Sequence, residues 1–188
     1  MLDQLLELDK DLFLYLNNLG SGTWDGFWLV ITNKFTFGPL YAVLLLLIYK
    51  EYGWKTLLLI IVTIAVMITF TDQITNLFKD TFQRIRPCRA EGVMDYTRFV
   101  APRCGKYGFF SGHSSNSMAA AVFGGLVLRP YFKKLIFLLL FWSVLVAYSR
   151  IYVGVHYPLD IICGMLFGAS VGFGFYKLNG YLISRFIS

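Results

Sequence analysis

The stretch TLLLIIVTIAVMITFT, residues 56–71, is an unbroken apolar run without a single charged side chain, and it decides the fold class. Four further uncharged apolar runs occur at residues 37–49, 118–128, 135–148 and 161–176. With polar residues extending their ends, such runs approach the roughly 20 residues that a helix needs to cross a bilayer. The sequence therefore predicts an all-α integral membrane protein, built as a helical bundle.

The composition of the whole chain agrees with a membrane protein. Of its 188 residues, 57% are hydrophobic and 15% are charged, whereas about a quarter of a soluble domain is charged. The net charge of +6 is explained by Lys and Arg at the ends of membrane helices. No RNA- or DNA-binding motif is present. We therefore predict the lipid bilayer as a partner, no nucleic acid, and no obligate protein partner.

The N-terminal segment, residues 1–20, is predicted to be an interfacial amphipathic helix. Acidic residues interrupt its apolar residues, so it does not resemble a cleavable signal peptide. The apolar side chains recur at helical spacing. They are Leu2, Leu5, Leu6, Phe13 and Leu16.

The rest of the chain is predicted to hold five transmembrane helices, or six if the first one divides. That first helix, at about 23–49, contains Lys34 and should bend at Gly38-Pro39. A polar turn at 50–53 follows it. The remaining helices are predicted at about 54–78, 113–128, 134–149 and 158–178. We interpret residues 1–188 as a single domain.

One long polar loop, residues 79–112, interrupts the helices. Two predicted crossings separate its end from the stretch SRIYVGVHYPLD at 149–160. Because two crossings return the chain to the same membrane face, the loop and this stretch are expected to form one site.

His156 and Asp160 are the first candidate pair in that site. Pro158 suits the first turn of a helix, which would place the two side chains about one turn apart on one face. Asp160 can then bind one ring nitrogen of His156 and leave the other free as a nucleophile. The alternative is a structural histidine at a helix start, but an ionisable Asp inside a membrane helix is usually functional.

Two other segments carry candidate phosphate ligands. Ser111-Gly112-His113 can cap the next helix, direct backbone N–H groups at an anion and supply a proton donor; the alternative is an ordinary helix cap. Lys79 and Arg86 suit a phosphate at the membrane surface; the alternative is that they only extend along a helix end towards water.

Taken together, these segments resemble the type 2 phosphatidic acid phosphatase superfamily, with its pattern K-x6-RP, PSGH and SR-x5-H-x3-D. Lys79 with Arg86-Pro87 matches the first element, and Ser149, Arg150, His156 and Asp160 match the third. The second element departs from the pattern only at Phe110, where the family usually has Pro. The resemblance is specific over residues 79–160.

The resemblance implies a mechanism. His156 would attack phosphorus to give a phosphohistidine, Asp160 would orient His156, and His113 would protonate the leaving oxygen and then activate water. No metal or other cofactor is implied. The groups implied to bind the phosphate are Lys79, Arg86, Ser111, Gly112 and Arg150.

The implied activity is dephosphorylation of a membrane lipid phosphate or diphosphate. Lipid A phosphate or undecaprenyl diphosphate is favoured, because further basic loop residues suggest a multiply charged headgroup; phosphatidylglycerophosphate and phosphatidic acid are also family substrates. The alternatives are a phosphotransferase that uses an alcohol acceptor and a non-enzymatic lipid-binding or transport protein. The basic residues concerned are Arg84, Arg89, Arg98, Arg103 and Lys106.

The location predicted from size and charge is the bacterial inner membrane, with the site facing the periplasm. Short loops on the opposite face carry basic residues that would be cytoplasmic. Cys88 and Cys104 both lie in the long loop. They are expected either to form a disulfide in that oxidising compartment or to be two free thiols.

Overall fold

The computed structural model describes residues 2–187. Two short 3₁₀ turns, Pro87–Arg89 and Met94–Tyr96, lie between its third and fourth α-helices, and no β-strand occurs within these residues. The predicted all-α fold is therefore confirmed. The helices are α1 (Leu2–Asn18), α2 (Gly22–Thr32), α3 (Gly38–Phe82), α4 (Gly112–Leu128), α5 (Leu135–Tyr152) and α6 (Pro158–Phe186).

Within residues 2–187, α3, α5 and α6 are long and apolar enough to cross a membrane, as a multi-pass protein requires. A straight helix of 45 residues, the length of α3, would measure about 68 Å, more than twice the ~30 Å thickness of a bilayer core. Gly53, with a φ of 75°, breaks the helical geometry inside α3. Helix α3 therefore consists of two helical segments, 38–52 and 54–82, joined at a kink. The count of five or six crossings stays a prediction.

The first predicted membrane helix, residues 23–49, is divided. α2 ends at Thr32, and a turn over residues 33–37 separates it from α3. Pro39 lies in the first turn of α3, where a missing N–H breaks no helical hydrogen bond. The two-helix alternative is therefore correct, and Lys34 lies in a turn rather than inside a helix.

Helix α1 contacts the bundle through one narrow face. Asp9, Phe13 and Asn17 are four residues apart and buried. The Asn17 amide donates to the carbonyl oxygens of Ile151 at 3.0 Å and Tyr152 at 2.9 Å. An exposed apolar stripe along the rest of the helix suits a position in the membrane interface. Its leucines are Leu2, Leu5, Leu8, Leu12 and Leu19.

Glycines allow α6 to pack closely against α4. Gly164, Gly168 and Gly172 lie one turn apart, and a Cβ at each would come within 2.7 Å of a backbone oxygen of α4 or its cap residue. Small residues at such spacing let two membrane helices approach backbone to backbone. The first turns of both helices are thereby joined, since the N–H of Ser111 donates to the carbonyl oxygen of Asp160 at 3.0 Å.

Candidate active site

The segment between α3 and α4, residues 83–111, folds back on itself. The N–H of Arg86 donates to the carbonyl of Lys106 at 3.2 Å, and the N–H of Gly108 donates to the carbonyl of Arg84 at 2.8 Å. These bonds make a short antiparallel pairing. It holds both arginines beside the start of α6, where the histidine and aspartate of the third motif lie.

His156 and Asp160 form a buried pair at that helix start. Their side chains are 2% and 0% exposed, and Nδ1 of His156 lies 3.3 Å from Oδ2 of Asp160. Helix α6 begins at Pro158, and the N–H of Tyr157 donates to the same Oδ2 at 3.1 Å. Because Nδ1 faces the carboxylate, Nε2 is the nitrogen left for a substrate.

Positive charges surround the His156 imidazole. Burial lowers the pKa of His156 well below the ordinary value of 6.5, and Arg86, Arg150 and Lys79 lower it further, while a hydrogen bond with the backbone of Gly108 opposes them. The ring is therefore neutral at neutral pH. That is the protonation state that a nucleophilic nitrogen requires.

The three cations converge from separate elements. Lys79 lies in the last turn of α3, Arg86 in the loop and Arg150 in the last turn of α5. The Arg86 Nε–H donates to the carbonyl of Tyr107 at 2.9 Å, and Arg150 donates to the hydroxyl of Thr32. Their other N–H groups suit a phosphoryl group. Within residues 2–187, no group of three or more His, Cys, Asp or Glu side chains is placed to hold a metal ion.

The N-terminus of α4 adjoins these cations. Ser111 caps the helix, because its Oγ accepts the N–H of Ser114 at 3.4 Å and its hydroxyl at 3.0 Å. A Cβ at Gly112 would lie 3.8 Å from Nζ of Lys79. Backbone N–H groups and the helix dipole add to the attraction for an anion. Phe110, in place of the family's Pro, is buried between phenylalanines of α3 and α6.

His113 joins the cationic cluster to a cavity of about 680 Å³. It interacts electrostatically with the cations and the imidazole described above, and it also lines the cavity between the α2–α3 turn, α3, α4 and α5. Thr32, Asp72 and Asn116 line the same end, whereas most of the remaining lining is apolar, as at Phe123. His113 therefore lies between the cationic cluster and a largely apolar cavity.

Arg84 and Asp9 complete the site. Asp9 was not predicted to be a site residue, and Arg84 was predicted only as one of the basic loop residues that would face a charged headgroup. Arg84 donates to Oδ1 of Asp160 at 2.8 Å and to Oδ2 of Asp9 at 2.5 Å, and its guanidinium lies 4.2 Å from the Tyr157 ring centre. Asp9, 4% exposed, also accepts the N–H of Leu159 at 2.8 Å. The helical spacing of Asp9 with Phe13 and Asn17 is the sequence signal that could have indicated a buried acid.

Comparison with known proteins identifies the family of this chain. Residues 54–184 match the PAP2 superfamily. The chain belongs to this superfamily. The resemblance to type 2 phosphatidic acid phosphatases is therefore confirmed, and the matched residues include the three motifs, the cationic cluster and both histidines.

Three members are similar over most or much of the chain. The lipid A 4'-phosphatase of Bacteroides thetaiotaomicron is 34% identical over 98% of this chain and 83% of its own length. The undecaprenyl-diphosphatase of Sulfolobus acidocaldarius is 33% identical over 66% of this chain and 62% of its own. The crystal structure of a PAP2-type phosphatidylglycerolphosphate phosphatase from Bacillus subtilis, 20% identical, covers 97% of this chain and 89% of that one with a TM-score of 0.74. That structural likeness supports the fold.

Several basic loop residues have structural partners rather than free charges. Arg98 forms an ion pair with Asp25, and the Arg89 Nε–H donates to the carbonyl of Cys104 at 3.2 Å. Cys104 is joined to Cys88 by a disulfide. We predicted that the basic loop residues bind a multiply charged headgroup. That prediction is wrong for Arg98 and for Arg84, because each already forms an ion pair with a carboxylate of this chain.

Proposed function

We propose that this protein dephosphorylates a lipid at the membrane surface through a phosphohistidine intermediate at His156. The enzyme class predicted from the motifs, a lipid phosphatase, is confirmed by the superfamily and by the names of its relatives. The observation that carries the mechanism is the buried His156–Asp160 pair, 3.3 Å apart and surrounded by three cations.

In the first step, Nε2 of His156 attacks phosphorus while the bond between phosphorus and the leaving oxygen breaks. Asp160 accepts the hydrogen bond from Nδ1–H and stabilises the positive charge that develops on the ring. His113, whose protonated form is favoured by the negative charge of the bound phosphate, gives its proton to the leaving oxygen. Lys79, Arg86 and Arg150, with the N-terminus of α4, stabilise the charge of the transferring phosphoryl group.

In the second step, water replaces the histidine. His113, now neutral, accepts a proton from the water as its oxygen attacks phosphorus. The bond between phosphorus and Nε2 breaks, inorganic phosphate leaves, and His156 returns to its neutral form. The cations supply the positive charge that the reaction needs, so the proposed mechanism uses no metal.

The substrate that we propose is a lipid A phosphate, with undecaprenyl diphosphate second and phosphatidylglycerophosphate or phosphatidic acid as further candidates. A relative named lipid A 4'-phosphatase aligns with nearly the whole chain, whereas the undecaprenyl-diphosphatase aligns with 66% of it. Both headgroups present a phosphate at the membrane surface, where the cationic cluster lies.

We further propose that the protein lies in the bacterial inner membrane with its site facing the periplasm. The disulfide between Cys88 and Cys104 lies in the active-site loop, and disulfides persist in oxidising compartments. Basic residues in the short loops at the opposite ends of the helices favour a cytoplasmic position for that face.

The deciding experiment measures phosphate release by purified full-length protein in detergent with EDTA present. Lipid A, undecaprenyl diphosphate, phosphatidylglycerophosphate and phosphatidic acid are offered in parallel, and His156→Ala is the control variant. We expect release that survives EDTA and disappears in the variant. In samples quenched with SDS at alkaline pH, radioactive phosphate from the substrate should remain on the wild-type protein and be released on later acid treatment, as expected of acid-labile, base-stable phosphohistidine.

Other outcomes separate the alternatives. Metal-dependent release, or release that persists without His156, would contradict the histidine mechanism. Transfer of phosphate to an added lipid alcohol would indicate a phosphotransferase, and complete inertness would favour a lipid-binding protein. Orthovanadate, which adopts the trigonal geometry of the transferring phosphoryl group, should inhibit; its failure would mean that the phosphoryl pocket is assigned wrongly.

A further inference from the structure

The cavity beside His113 has a polar end and an apolar end. Three polar side chains line it near the proposed phosphoryl site: Asp72 of α3, Asn116 of α4 and Trp142 of α5. We call these three residues the polar collar. Beyond them the lining becomes hydrocarbon, with Ile64 and Phe123 among its residues.

The collar lies below the phosphoryl site. Asn116 follows His113 by three residues on α4, Asp72 precedes Lys79 by seven on α3, and Trp142 precedes Arg150 by eight on α5. At 1.5 Å per residue, the three collar residues lie roughly 5–12 Å farther along their helices than those site residues. They therefore form part of the cavity wall that a leaving group entering beside His113 would contact.

Two buried polar atoms of the collar lack hydrogen-bond partners among the described residues. The Asn116 amide donates to the Asp72 carboxylate at 2.7 Å, which ties α4 to α3 at this level. Among the described residues, however, the buried Oδ1 of Asn116 and the buried indole Nε1 of Trp142 have no hydrogen-bond partner. Leaving such buried groups unpaired is unfavourable, so a bound molecule that pairs with them is favoured over one that cannot.

The position of His113 indicates which part of the substrate meets the collar. In the proposed mechanism His113 protonates the leaving oxygen, and this same residue lines the cavity. The leaving group, an alcohol for a phosphate monoester and a lipid monophosphate for a diphosphate, therefore enters the cavity with its first atoms between His113 and the collar. Its polar groups meet Asp72, Asn116 and Trp142, and its hydrocarbon continues into the apolar end.

We infer that the collar selects a phosphorylated, acylated saccharide over a polyprenyl diphosphate. Hydroxyl or amide N–H groups of a sugar headgroup can donate to Asn116 and Asp72, and an ester, amide or hydroxyl oxygen can accept from Trp142. Removal of the terminal phosphate of a polyprenyl diphosphate leaves a polyprenyl monophosphate, whose anionic oxygens can accept from Trp142 but cannot donate to Oδ1 of Asn116 and are repelled by the Asp72 carboxylate. This inference rests on the proposed function and specifies its substrate class.

The test compares lipid A with undecaprenyl diphosphate as substrates of the purified full-length protein in one detergent. The measured quantity is the ratio of the two kcat/KM values, which cancels differences in the folded fraction between preparations. Trp142→Phe removes the indole N–H and keeps a smaller aromatic ring, and Asn116→Leu removes the amide. Trp54→Phe and Asn76→Leu are the matched controls, since both residues are exposed on α3 and neither lines the cavity.

We expect the wild-type ratio to favour lipid A, and Asn116→Leu to lower the ratio by about 3- to 10-fold, as the loss of one hydrogen bond predicts. Trp142→Phe should instead lower kcat/KM for both lipids, because either leaving group can accept from the indole N–H. The controls should leave the ratio unchanged. A wild type that favours undecaprenyl diphosphate, or a ratio unaltered in Asn116→Leu, would overturn the inference while the phosphatase mechanism stands. Inactivity of the wild type on every lipid phosphate would instead overturn the proposed function, and the inference with it.

Discussion

Asp9 and Arg84 form a 2.5 Å ion pair that ties the N-terminal helix to the active-site loop. The second amino group of Arg84 pairs with Asp160 at 2.8 Å, and Asp160 in turn holds His156. A residue of the N-terminal helix thus positions the proposed nucleophile through two intermediate side chains. Asp9 also accepts a hydrogen bond from the first turn of α6, so it fixes both the arginine and the helix that carries Asp160.

Replacing Asp9 with Asn should lower kcat more than it changes KM, because Arg84 and Asp160 lose alignment while the phosphate-binding cations remain. Loss of a buried charge-assisted contact of this kind costs about 1–3 kcal/mol, or roughly 5- to 150-fold in rate. Asp11→Asn, on the exposed side of the same helix, is the matched control. Steady-state kinetics would contradict the positioning role if both variants behaved alike.

Close packing of α6 against α4 makes a second prediction possible. Gly168→Ala should destabilise the protein by about 1–3 kcal/mol, since the added Cβ meets the backbone of Ser115 and must push the helices apart. Gly174→Ala lies on the same helix with nothing within 4 Å, and should be neutral or stabilising by up to about 1 kcal/mol. Thermal unfolding in detergent measures both. Equal midpoints for the two variants would show that the glycine contact does not determine stability.

The disulfide between Cys88 and Cys104 joins residues 16 apart in the active-site loop. Closing a loop of that length stabilises a protein by about 3 kcal/mol. The double variant Cys88→Ser, Cys104→Ser, and the reduced wild type, should therefore unfold earlier than the oxidised wild type. Cys163→Ser controls for loss of a thiol, because Cys163 is free. Thiol alkylation before and after reduction counts the cysteines; three reactive thiols without reductant would mean that the loop is not bridged.

Acid should destabilise the protein partly through His156. Its pKa is lowered in the folded protein by burial and by Arg86, Arg150 and Lys79. Below the unfolded pKa of about 6.5, the unfolded chain therefore binds a proton that the folded protein does not. The free energy of unfolding then decreases by up to about 1.4 kcal/mol for each unit by which the pH is lowered. This stability is present above pH 6.5 and decreases as pH falls towards the folded pKa.

His156→Gln removes this titration and keeps a neutral polar side chain. Thermal midpoints measured between pH 7 and pH 5 should fall less steeply in the variant than in the wild type. Parallel slopes for the two proteins would contradict a neutral, buried His156.

Local patterns determined the parts of this protein that depend on short separations along the chain. Apolar runs predicted the helices, because a membrane helix must satisfy its own backbone within one segment. The x3 spacing between His156 and Asp160 predicted their contact, because residues four apart face each other across one turn. The helix starts at Ser111 and Pro158 could be predicted because capping also depends on residues that are close in the sequence.

Long-range pairing was decided only by the tertiary structure. Arg84 pairs with Asp9, 75 residues away in the sequence, instead of remaining free for a substrate headgroup. Arg150 donates to Thr32, 118 residues away. The sequence contains many acidic and hydroxyl side chains, and periodicity does not show which of them pairs with a given arginine. Helix packing brings distant groups together, and the cost of leaving a buried charge unpaired then selects which of them meet. The polar end of the cavity arises in the same way, because it is formed by three helices whose spatial arrangement cannot be predicted from local sequence patterns.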